Sequence, residues 1–228
     1  KNPATVEIGL IAPAKTVTHS LYPSTESLKK PLLDEILKRT ATGRVLIFTR
    51  TKHRAKRLAD QLIRSQFRAV ALQGNMSQNK REQALEGFRT GKFDMLVATD
   101  VASRGIDVSD ITHVINFDMP NTVDAYIHRV GRTGRAGSVG EAFTLITSDD
   151  RAMINRIQSV LGSTIPQKQL SDFDYGAFNP VVARPDQRDN NRPSSANNGR
   201  RSESPSDRYS RPISRRNRSW NQRQTARF

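Results

Sequence analysis

Short, wholly apolar runs alternate along this chain with longer stretches whose apolar residues recur every three or four positions. The runs are VLIF (45–48), AVAL (69–72), MLVA (95–98), VINF (114–117) and AFTLI (142–146). The first helical stripe is Leu32, Leu33, Ile36 and Leu37, with Pro31 in the first turn, where a missing N–H is tolerated. The next is Ala55, Leu58, Ala59, Leu62 and Ile63. A third, over about 78–90, carries Ala84, Leu85 and Phe88 and stops at Gly91. Val123, Ile127 and Val130 form a fourth, with Asn121 as its cap and Asp124 three residues on. The last, over about 149–161, holds Met153, Ile154, Ile157 and Leu161 and is closed by Gly162. Unbroken apolar strands are those buried on both faces, and amphipathic helices bury them. The pattern therefore predicts a three-layer α/β domain with a mostly parallel central sheet. Ahead of it, Val6 and Ile8, then Val17, His19 and Leu21, alternate with polar positions. They predict a lead-in and edge strand over residues 1–25, with the domain proper over 26–170.

The periodicity fails after that, and composition says why. From Pro180 the last 49 residues hold 12 Arg, no Lys, 4 acidic groups and many Ser, Asn and Pro. Such a segment has too little apolar surface to offset the entropy of ordering, so 171–228 reads as a disordered Arg-rich tail. Its net charge is +8 and that of residues 1–179 is +7, together the +15 of the whole chain. Both parts are basic, which makes an acidic polymer the default partner, nucleic acid ahead of membrane. Tyr209, Trp220 and Phe228 stand among the tail arginines. The tail is then either a solubilising extension or an RNA tether in which arginines follow phosphates and aromatics stack on bases. There is no run of 18 apolar residues and no cysteine, which excludes a membrane span, a disulfide framework and thiol chemistry. Lys1 is not an initiator Met, and the expectation is a chain that starts inside a longer, cytoplasmic protein.

Ligands in parallel α/β sheets sit outside the carboxyl ends of the strands. There VLIF is followed by Thr49, Arg50, Thr51 and Lys52, AVAL by Gln73, Gly74 and Asn75, and MLVA by Thr99 and Asp100. The densest chemistry is HRVGRTGRAG (128–137), three arginines and three glycines in ten residues. Arg129, Arg132 and Arg135 recur every third residue, and Gly131 and Gly134 allow backbone turns that a side chain resists. Guanidinium forks held together on a turn match phosphate oxygens, although a surface cluster paired with carboxylates gives the same spacing.

Joined to ATDVASRGIDV (98–108), this motif resembles the second RecA-like domain of the DEAD-box RNA helicases of superfamily 2. ATD-x-A-x-RG-x-D is similar to the family's motif V, and HR-x-GR-x-x-R to its motif VI. IFTRT (47–51) is similar to motif IV, and Gln78-x-x-Arg81 to its Q-x-x-R element. Within the family, VLIFTRTK and the Arg-rich tail look most like the bacterial RhlE-type subgroup. The resemblance implies that Arg132 and Arg135 are arginine fingers reaching the γ-phosphate of an ATP held, with Mg2+, by an N-terminal RecA-like domain of the same protein. It implies that Asp107, beside Gly105, contacts the ribose, and that His128 and Arg129 couple the two domains. Arg50, Thr51, Gly74, Gln78, Arg81, Thr99, Asp100 and Arg104 would line the RNA backbone. Contacts of that kind ignore base identity.

Two departures stand out. Gln73-Gly74-Asn75 replaces the family's His-Gly-Asp, which removes an acidic contact. No G-x-x-x-x-G-K-[ST] run and no D-E-A-D tetrapeptide occurs in the chain, so on its own it should not hydrolyse ATP. GFRTGK (87–92) has one residue too few between its glycines, and Phe93 stands where Ser or Thr would meet magnesium. Two other classes remain open. DEAH-type and DNA helicases of the same superfamily usually begin motif VI with Gln, against His128 here. A non-catalytic RNA-binding or partner-docking module would keep the fold alone.

Overall fold

The computed structural model describes residues 16–40, 43–103, 108, 110–135 and 138–179. The order of elements is β1 (Val17–Pro23), α1 (Lys29–Thr40), β2 (Arg44–Phe48), α2 (Lys52–Arg64), β3 (Ala69–Leu72), α3 (Gln78–Arg89), β4 (Met95–Ala98), α4 (Asp100–Ser103), β5 (Ile111–Asn116), α5 (Val123–Val130), β6 (Gly140–Ile146) and α6 (Arg151–Leu161). The strands form one sheet in the order β1-β6-β5-β2-β4-β3, and every pairing is parallel.

Alternate side chains along each strand supply the two inner layers. Val45, Ile47, Met95, Val97, Ile115, Phe143 and Leu145 pack beneath α1 and α2. Leu46, Phe48, Leu96, Ala98 and Val114 meet α3 on the other face, and Ala142 and Ile146 meet α5 and α6 there. This RecA-like three-layer arrangement explains why the central strands β2 and β4 are apolar almost throughout: neither of their faces reaches water. β2 and β5 are neighbours, yet α2 leaves on one face and α5 on the other. That reversal opens a crevice at the carboxyl ends of these two strands, where parallel sheets bind their ligands.

Local chemistry moves several of the expected boundaries. The cap of α5 is Thr122 rather than Asn121, because the Thr122 hydroxyl accepts the Ala125 N–H at 3.1 Å. Ile63 lies outside the stripe of α2 and is exposed. The segment 100–103 after β4 forms the short helix α4, and β5 starts at Ile111, three residues before the apolar run. A 3-10 turn, Ser148–Asp150, precedes α6, so that helix begins at Arg151. The edge strand belongs to the same sheet as the rest, paired with β6. The boundary expected at residue 170 also moves. Leu170, Phe173 and Tyr175 pack against the core, and Asp172 lies 3.6 Å from Arg39. The remainder of the tail, 180–228, and the lead-in, 1–15, lie outside the described residues.

Candidate functional site

The three arginines of the glycine-rich segment have different fates. Arg129 projects inward from α5 and is only 2% exposed. Its Nε donates to Asp100 Oδ1 at 2.6 Å and its Nη2 to Oδ2 at 2.8 Å, a two-pronged pair. Nη1 donates to Asn116 Oδ1 at 3.0 Å and to the main-chain oxygen of Asp118 at 2.8 Å. The guanidinium also stacks 5.0 Å above the Phe48 ring. Four of its five N–H donors are therefore spent inside the domain, and Arg129 is not part of an open anion fork. Asp100, read from the sequence as an RNA contact, is the other half of this pair.

Arg132 and Arg135 follow on the turn. Gly131 ends α5 at φ −65°, so the turn begins in ordinary backbone, and the left-handed step falls later, at Gly134 with φ +67°. A Cβ on Gly134 would stand 2.5 Å from Val17 Cγ2, so both conformation and space demand glycine there. Thr133 is buried and its hydroxyl donates to the Ile111 carbonyl, which staples the turn to the sheet. Arg132 is half-buried and Arg135 exposed. Burial, and then the neighbouring charge of Arg135, lower the pKa of Arg132. Both effects disfavour its positive charge, and an anion arriving beside it would reverse them. Arg132 lines a cleft of about 550 Å3 with Phe48, Asp100, Ser103, Asp124 and the exposed His128. The cleft lies between α4 and α5, beside Phe48 at the end of β2.

The other expected contact residues separate by burial. Arg50, Thr51, Gly74 and Gln78 are exposed along the carboxyl rim. Thr51 caps α2, its hydroxyl accepting the Arg54 N–H at 3.2 Å. Nothing lies within 4 Å of a Cβ built on Gly74, so packing does not require glycine there. Arg81 is half-buried and braces α4, donating to the Ala102 carbonyl at 2.6 Å. Thr99 is 8% exposed, and its hydroxyl accepts the Ala102 N–H at 3.4 Å. It starts α4 rather than facing outward. Arg104, Gly105 and Asp107 lie outside the described residues.

Residues 28–137 match the helicase conserved C-terminal domain. The fold superposes on E. coli DEAD-box protein SrmB, solved bound to regulator of ribonuclease activity A, with a TM-score of 0.65 and 35% identity. That match takes in 68% of this chain and 91% of the SrmB chain. The chain belongs to the DEAD-box helicase family. Saccharomyces cerevisiae Dbp5, solved with RNA and ADP BeF3, is 27% identical with a TM-score of 0.64, over 69% of this chain and 42% of its own. Among curated DEAD-box relatives, ATP-dependent RNA helicase 21 of Oryza sativa subsp. japonica is 38% identical over 194 residues, 82% of this chain and 26% of that protein. RhlB of Aliivibrio salmonicida is 36% identical over 200 residues, 86% of this chain and 45% of that protein. The chain thus spans between a quarter and a half of these two relatives, and it corresponds to the C-terminal domain of a DEAD-box RNA helicase.

In this DEAD-box domain the sequence reading missed the groups that hold the motifs in place. Asn116 is fully buried between Arg129 and the Thr144 hydroxyl, which its Nδ2 meets at 3.1 Å. Asp118 is 3% exposed beside Lys29 and Arg54. The available signal was their position: Asn116 is the polar residue inside the VINF run and Asp118 follows it directly, on the edge where the other motifs emerge. GFRTGK proves to be the tail of α3. A Cβ on Gly87 would stand 2.6 Å from the Phe93 ring, so close packing accounts for that glycine.

Proposed function

We propose that this domain is the C-terminal half of an ATP-dependent RNA helicase, in which Arg132, with Arg135 beside it, acts as an arginine finger on ATP carried by the N-terminal domain. The observation behind this reading is the half-buried guanidinium of Arg132 in the cleft between α4 and α5, lined also by Asp100 and Ser103 of α4. Burial and the neighbouring charge of Arg135 lower its pKa, and an anion entering beside it would offset both effects. In phosphoryl transfer, negative charge spreads over the oxygens of the transferred group. A guanidinium delivered across a cleft by a second domain neutralises it, an effect of about 10³–10⁵ in rate.

RNA would lie along the rim formed by Arg50, Thr51, Gly74 and Gln78, and Arg104, which follows α4 in sequence, would keep the RNA role that its motif implies. Arg81 and Thr99 would act indirectly, as the brace and start of α4. His128, exposed in the cleft, would meet the partner domain, whereas Arg129 would couple it only through Asp100. Gly105 and Asp107 keep the ribose role that the motif implies. Among the described residues no three carboxylate or imidazole groups gather to hold a metal. Magnesium would be bound by the N-terminal domain together with ATP, as the family motifs imply. ATP and RNA together would close the two domains and open short duplexes locally, and hydrolysis would release the RNA. Dbp5, solved with RNA and ADP BeF3, supports the same pairing of ligands here. VLIFTRTK and the Arg-rich tail favour the RhlE-type subgroup, and the protein would act in the cytoplasm.

The test is Arg132→Ala in the full-length protein. RNA-stimulated ATP turnover should fall by about 10³ while RNA affinity stays within about twofold. Turnover close to wild type would rule out the finger and favour a module that only binds RNA.

A further inference from the structure

Asp118 takes no part in the reading above, yet it touches both sides of the site. Its Oδ2 accepts the Arg50 N–H at 2.9 Å, at the exit of β2. Arg54 Nε lies 2.9 Å from the same oxygen, close enough for an ion pair but off the line of a hydrogen bond. Lys29 Nζ, itself almost fully buried, stands 3.7 Å from Oδ1. The main-chain oxygen of Asp118 receives Arg129 Nη1 at 2.8 Å. Behind it, the N–H groups of Phe117 and Asp118 point at the Phe48 carbonyl, at 3.0 and 3.3 Å. An apolar side chain would fill this volume without needing two cations around it. The carboxylate is distinctive because it fixes the direction of the Arg50 main chain while its own backbone holds Arg129.

We propose that Asp118 is a positioning residue that locks the Arg50–Thr51 turn to the Arg129–Asp100 pair. The RNA-facing exit of β2 and the Arg132-bearing end of α5 then respond as one piece. This rests on the helicase reading, and it gives that reading a physical link between its RNA rim and its nucleotide cleft. Arg129 pulls on the Asp118 backbone, and the Asp118 carboxylate pulls on the turn. The path is two hydrogen bonds long, one buried and one partly buried, so salt screens it little.

The experiment uses the full-length helicase with Asp118→Ala and Asp118→Asn, the second keeping an oxygen that can accept the Arg50 N–H. In Asp118→Ala the RNA concentration for half-maximal ATPase should rise about tenfold, the scale of one lost charge-assisted hydrogen bond, with turnover at saturating RNA within about threefold of wild type. Asp118→Asn should recover part of the shift. Adding Arg50→Ala to Asp118→Ala should shift it little further, since both act through the same turn. Hydrogen exchange should show residues 49–51 opening faster in Asp118→Ala and near the wild-type rate in Asp118→Asn. Should Asp118→Ala fail to fold, Arg54→Met loosens the same carboxylate from a partly exposed helix face and should move the RNA dependence in the same direction. Unchanged RNA dependence and exchange would overturn the proposal. So would an equal fall of turnover, affinity and melting temperature in both variants, which marks a purely structural role. A wild-type protein without RNA-stimulated ATPase would sink the helicase reading and the coupling together, whereas the exchange measurement still reports the lock by itself.

Discussion

At the level of single residues, arginines of one motif do opposite work. HRVGRTGRAG was legible as a guanidinium cluster, but spacing every third residue could not say which member turns inward. That outcome depends on Asn116, Asp118 and Asp100, brought to Arg129 by the carboxyl ends of two strands, β5 and β4. Arg129 is buried with four of its five donors in use, so its removal should destabilise the fold rather than merely inactivate. Arg129→Ala strands the Asn116 amide oxygen and the Asp118 carbonyl without donors, and leaves Asp100 without its cation. The Asp100 side chain is 43% exposed and can rehydrate, so the loss falls near the low end for a broken buried pair, about 3 kcal/mol. Arg129→Lys should recover little, because an ammonium cannot make the two-pronged contact. Arg132→Ala should cost less than about 1 kcal/mol while abolishing turnover. Urea denaturation of the three variants checks the ordering. Equal destabilisation by Arg129→Ala and Arg132→Ala would contradict the division of labour.

For the elements, periodicity succeeded where burial is two-sided and failed where the chain is short. VLIF, AVAL and MLVA are strands almost residue for residue because nothing but a covered parallel sheet accommodates four apolar residues in a row. The four residues of α4 have no period to detect, and only Thr99 at its start and Arg81 across from it hint at a helical turn. Two strands also carry histidines whose burial creates a pH dependence. His19 on β1 sits with its Nδ1 2.7 Å from the Tyr126 hydroxyl of α5, and burial lowers its pKa from 6.5. Burial lowers that of His113 on β5 too, partly opposed by Glu141. Both groups fold as neutral rings. Below pH 6.5 the unfolded chain therefore binds more protons than the folded one, and stability falls as pH drops toward the folded pKa values. The Glu26 carboxyl titrates in a lower window. Burial alone would raise it, but bonds from Arg54 and Lys29 prevail and hold it below its usual 4.5. Melting temperature should thus decline between about pH 6.5 and 5 before the carboxylates contribute. The substitution His19→Gln should flatten part of that decline, and an unchanged slope would mean that His19 protonates freely in the fold.

Across the whole molecule, the question is where the packed domain stops and the basic extension begins. The sequence placed that boundary at 170 because helical and strand periods end near Leu161. The chain nevertheless continues against the sheet. Leu21 accepts the Lys168 N–H at 2.8 Å, Leu170 donates its N–H to the Tyr175 hydroxyl at 3.2 Å, and Phe173 and Tyr175 lie ring against ring at 4.8 Å over the core. Isolated aromatics in an irregular segment leave no periodic trace, so composition alone hid them. Two truncations separate the two functions of the C-terminal region. Ending the chain after Leu170 exposes the core beneath two partly buried aromatics, a loss of about 2 kcal/mol, or roughly 4–8 °C in melting temperature for a domain of this size. Ending it after Asn179 keeps those contacts and should leave the melting temperature alone, yet it removes 12 Arg and a net charge of +8. If about four of those arginines meet phosphate, the slope of log affinity against log salt should become shallower by about three units for single-stranded RNA. Binding should weaken most at low salt, where released counterions contribute most to affinity. An unchanged salt slope would show that the extension does not touch RNA, and the +7 carried by residues 1–179 would then have to account for all of the binding.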